Sequence, residues 1–158
     1  MAKVPFSKLE AKVCDTSSSP FYYNTKNEEV YYEVKHYLPV EEKMEMISRI
    51  INQSIDENGF YNPMRVKIFT VLEVTYAYTN LSFTAKQKEN IFKLYDQLIS
   101  TGIFQAIKDS IYKTDWIEIE EAVIKTIDNI YKYNNSVMGV LENVVNDYKD
   151  LDLNATNI

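Results

Sequence analysis

The sequence predicts an α+β protein that is mainly α, with an N-terminal β-hairpin packed on a compact bundle of about five to six helices. Three observations lead there. The stretch Asn62–Thr84, NPMRVKIFTVLEVTYAYTNLSFT, is the most continuously apolar part of an acidic chain and reads as core. Amphipathic segments with helical spacing lie on both sides of it. Only the first forty residues carry the two-residue alternation of strands.

Val4–Val13 alternates weakly and reads as a first strand. Asp15–Asn27, DTSSSPFYYNTKN, reads as a long, flexible loop around its Ser-Ser-Ser-Pro centre. Glu29–His36, EVYYEVKH, alternates aromatic or β-branched residues with polar ones and reads as the second strand. Two strands alone are marginal, so the hairpin must pack on the helices or pair with a partner. An exposed edge there is a natural docking point for an incoming strand.

Leu38-Pro39 breaks the strand, and a helix starts near Val40. Val40, Met44, Ile47, Ile51 and Ile55 share one face at three- and four-residue steps, with Glu41, Glu42, Lys43 and Arg49 mainly outward. The two glutamates suit the positive dipole end of that helix. Gly59 closes the following loop. Pro63–Tyr78 alternates in part as a strand would, but its sixteen residues are long for a strand and ordinary for a helix. Pro63 also suits a first helical position with Asn62 as N-cap. Apolar nearly all round, that helix is expected to be enclosed by others.

Thr84-Ala-Lys-Gln87 is a capping-box pattern. It opens a helix expected to run to Ser100 with Ile91, Leu94, Tyr95 and Leu98 inward, ended by Gly102. Ile103–Tyr112 reads as a shorter helix. Asp115 is the expected cap of a longer one, whose seam is Trp116, Ile119, Val123, Ile127, Ile130 and Tyr131. Asn134-Asn135-Ser136 marks a break. A last helix over Ser136–Tyr148 would bury Val137, Leu141, Val144 and Tyr148. Gly139 inside it costs about 1 kcal/mol of helix propensity and so implies a close helix crossing. With no linker or fixed-period repeat, the chain reads as a single domain over 1–158: hairpin region 1–38, helical body 39–148, flexible tail 149–158.

Seventeen basic against twenty-three acidic residues give a net charge of −6, which argues against broad nucleic-acid or anionic-membrane binding. Residues 1–15 lack the apolar run of a signal peptide, and nothing approaches a membrane span. Cys14 has no second cysteine to pair with, which fits a reducing compartment. His36 is the sole histidine and reads as a solvent-facing residue at a strand end, so a multi-histidine metal site is excluded. With three glycines in all, a phosphate-cradling loop is not expected. Glu118, Glu120 and Glu121, with Asp115, read as a solvated helix face rather than a magnesium site. The expectation is therefore a protein that is not an enzyme, with no catalytic or metal-binding residues and no cofactor. Tyr22, Tyr23, Tyr31, Tyr32 and Tyr37 concentrate aromatic side chains in the hairpin region, a composition that suits either strand packing or a binding hot spot.

The stretches VPFSKLEAKV, VKHYLPVEEKMEMISRIINQS, YTNLSFTAKQKENIFKLYD and YKYNNSVMGVLENV span nearly the whole chain. In layout they resemble a group of small proteins of tailed phages and prophages of Gram-positive bacteria. The order of a strand pair followed by a helical body is similar to that of tail assembly chaperones, which is fold-level analogy. The resemblance implies a role in virion assembly or structure, in the host cytoplasm or the virion. The partner would be a tail, neck or capsid protein or a second copy of the chain, with no nucleic acid and no membrane. It supplies no catalytic residue. Tyr32, Val34, Tyr37 and Leu38 are the expected docking edge, with Trp116 as an anchor; the competing reading of Trp116 is helix-seam core. The alternative function is a phage-encoded inhibitor of a host defence protein.

Overall fold

The computed structural model describes residues 18–24, 29–56, 59–136, 139–142 and 144–145. They form an antiparallel hairpin followed by helices, an α+β fold that is mainly α. The chain groups into two compact units, Met1–Glu120 and Glu121–Ile158.

In the first unit β1 (Ser18–Asn24) pairs with β2 (Glu29–Lys35), placing Phe21 opposite Tyr32 and Pro20 opposite Glu33. The expected first strand, Val4–Val13, lies outside the described residues. The strand that pairs with β2 comes from the stretch read as a loop. Phe21, Tyr22 and Tyr23 are strong β-formers, and proline is tolerated on an edge strand such as β1. β2 alternates as expected, with Tyr32 and Val34 buried and Tyr31, Glu33 and Lys35 exposed. Its other edge is covered: Val34 bridges to Thr79, and the Glu33 N–H donates to Asn80 Oδ1 at 2.9 Å. His36 is half-buried rather than solvent-facing, hydrogen-bonded through Nε2 to Ser19 Oγ at 2.7 Å and tilted against the Tyr112 ring.

α1 (Val40–Ser54) starts directly after Pro39, whose carbonyl accepts from the Lys43 N–H. Its buried residues are Lys43, Met46, Ile50, Ile51 and Ser54. Of the predicted inner face only Ile51 is buried; Val40 and Met44 are exposed, and Ile47 and Ile55 are intermediate. α1 carries two overlapping apolar stripes. The one containing a lysine wins because carboxylates far along the chain neutralise that lysine.

α2 (Pro63–Tyr78) is the enclosed helix the sequence predicts. Asn62 Oδ1 caps it by accepting from the Met64 and Arg65 N–H groups, Pro63 occupies the first turn, and Gly59 turns the preceding loop at φ 79°. Within it the Thr70 and Thr75 hydroxyls donate to the carbonyls four residues back, as Thr79 does just beyond its end. These polar β-branched residues are thereby satisfied without solvent. α2 packs on α1, α4 and α5.

The capping box of Thr84 and Gln87 forms as predicted, but the helix it opens is short. α3 (Ala85–Glu89) stops at Asn90, whose side chain accepts from the Lys93 N–H and caps a separate α4 (Ile91–Ser100). An asparagine that can bond the backbone locally offers the chain a way out of the helix. Leu94, Tyr95 and Leu98 are buried as expected, and Gly102, at φ 75°, leads into α5 (Ile103–Ser110). α6 (Lys113–Asn134) follows, with Asp115 in its first turn rather than at its cap. Trp116, Ile119 and Val123 are buried; the seam then fades through half-buried Ile127 and Ile130 to exposed Tyr131.

In the second unit α6 ends where Asn134-Asn135-Ser136 predicts. The Ser136 N–H donates to the Tyr133 carbonyl, and Ser136 Oγ accepts from the Gly139 N–H as the next helical residues, 139–142 and 144–145, begin. A Cβ on Gly139 would lie 2.3 Å from the Tyr133 carbonyl oxygen, so the close approach is to backbone at the end of α6, six residues back, rather than to a crossing helix. Leu141 and Val144, expected inside, are exposed. Val137, Tyr148 and the tail 149–158 lie outside the described residues, as does Cys14.

Candidate partner-binding surface

The densest polar constellation among the described residues is buried. Asp115 is 1% exposed. Its Oδ1 accepts from the Lys43 ammonium, and its Oδ2 from the Tyr78 hydroxyl and, at 3.4 Å, the Leu38 N–H. Lys43 also reaches Glu118 at 2.8 Å and lies 4.7 Å from the centroid of the Tyr37 ring. Burial pushes the Tyr78 hydroxyl far above its ordinary pKa, and the Asp115 carboxylate adds to the rise. Burial pulls Lys43 down, but hydrogen bonds and charge from Asp115 and Glu118 outweigh it, so its pKa is raised. A second buried carboxylate, Glu73, accepts from Arg49 at 2.7 Å and Gln53 at 2.9 Å. Both oxygens of each carboxylate are engaged by groups from other elements, so these clusters fasten α1 to α6 and α1 to α2. Lys43, expected outside, is buried, whereas Arg49 is exposed as expected and reaches inward to Glu73; neither fastening is legible in the sequence, because the partners are distant in the chain.

The structure gathers the predicted docking residues into the first unit's interior. Tyr32, Val34 and Leu38 are buried and Tyr37 is half-buried, so they do not form a free edge. β2 has no open edge, bordered by β1 on one side and by Thr79–Asn80 on the other, and beside Pro39 Leu38 is buried whereas Val40 is exposed. Trp116 is 9% exposed, edge-on to Phe104 with the Lys108 ammonium over its ring. That is its core reading. Its Nε1 has no hydrogen-bond partner among the described residues. Beside it, Lys108, Asp109, Lys113 and Glu120 rim an open recess of about 410 Å³.

Glu118, Glu120 and Glu121 are exposed on α6 as expected, whereas Asp115 is withdrawn from them. Glu121 pairs with Lys125, which holds its carboxyl below the usual range. Among the described residues no group of three or more His, Cys, Asp or Glu side chains is placed to hold a metal ion, and no helix is long and apolar enough to cross a membrane.

What the described surface does present is apolar. In the first unit Val40 and Met44 lie open on α1. In the second, Ile124 (66% exposed), Tyr131 (63%), Val140, Leu141, Val144 and Val145 are all open. Ile124 and Tyr131 stand seven residues apart on one face of α6, and the four others share one face of the following helical residues. The periodicity of Leu141 and Val144 was legible, but an amphipathic stripe reads the same whether its own chain or another molecule covers it.

Comparison with known proteins finds no similarity: no protein-family model, curated protein or solved structure matches this chain.

Proposed function

We propose that this protein works by binding other proteins during assembly of a tailed-phage particle, as a morphogenesis or chaperone-like component of the tail or neck. The observation that carries the binding role is the exposure of apolar side chains in the second unit, on α6 and on the helical residues that follow it. Seven large hydrophobic side chains, Tyr133 among them, are exposed in that unit within a span of twenty-two residues, Ile124–Val145. Exposed apolar groupings of this kind mark interaction surfaces. The assembly role comes from the resemblance of the chain's layout to small phage and prophage proteins.

The test is deletion of the gene from a phage or prophage that carries it, followed by electron microscopy and mass spectrometry of gradient-purified particles. The expected result is particles with missing or aberrant tails, restored by the gene in trans. Normal, infectious particles from the deletion would overturn the assembly role. A deletion that is harmless in a defence-free host and deleterious in a defence-carrying one would favour the alternative, an inhibitor of a host defence protein.

A further inference from the structure

We draw no further inference here: the strongest candidate, the open recess beside Trp116 on α5 and α6, carries nothing because Asp109 and Glu120 match its two lysines, Lys108 and Lys113, in number, and nothing in the structure shows that the buried Trp116 Nε1 faces it, so no ligand chemistry is singled out.

Discussion

Lys43 on α1 and Asp115 on α6 form an ion pair across 72 residues of sequence, with both side chains almost wholly withdrawn from solvent. Glu118 at the rim and the Tyr78 hydroxyl complete the set, so the charges are hydrogen-bonded as well as paired. Removing one member strands the other, which is far costlier than removing both.

That asymmetry is measurable. Asp115→Leu and Lys43→Met are each expected to destabilise the protein by about 3–5 kcal/mol, while the double variant loses far less than their sum. Urea unfolding followed through the fluorescence of Trp116, the one tryptophan, reports on the first unit. Additive losses would show that the pair does not couple.

Alkaline pH should weaken the same unit. The Tyr78 and Lys43 pKa values are both raised on folding, and burial raises Tyr32 and Tyr76 as well. A raised pKa contributes stability that is fully present below the unfolded value, about 10 for either residue type, and is lost as pH rises through the folded one. The urea midpoint is therefore expected to hold up to about pH 9.5 and fall beyond about pH 10. Tyrosine absorbance should show part of the population ionising only on unfolding. A midpoint that rises above pH 10 would contradict this.

The two stripes of α1 make opposite predictions. Met46→Ala and Ile50→Ala, on the buried stripe, are expected to cost about 2–5 kcal/mol each. Val40→Lys and Met44→Lys, on the open stripe, are expected to stay within about 0.5 kcal/mol of wild type. Equal losses from both stripes would place the helix in a different rotation.

Gly139→Ala tests the close approach at the end of α6. In an unobstructed helix the exchange gains about 0.5–1 kcal/mol. Here the added methyl meets the Tyr133 carbonyl, and the expected outcome is a loss of thermal stability with faster proteolysis after Asn134. A more stable variant would mean that the turn opens freely.

Local physical chemistry settled much of this molecule in advance. Pro63 after Asn62, the Thr84–Gln87 box, Gly102 and the Asn134–Ser136 break each act through backbone groups a few residues away, so their effects are legible in a short window of sequence. The unbroken apolar run of α2 announces an enclosed helix for the same reason. What only the tertiary structure decided depends on partners far apart in the chain. Lys43 is buried because Asp115 and Glu118 meet it, so α1 turns its Met46–Ile50 stripe inward and leaves Val40 and Met44 in solvent. Phe21–Tyr23 became strand because β2 offered a pairing edge. Tyr32, Val34 and Leu38 left the docking surface because β1 and Thr79–Asn80 closed both sides of β2. Leu141 and Val144 stand open because hydrophobic spacing says that a face will be covered, never by which molecule.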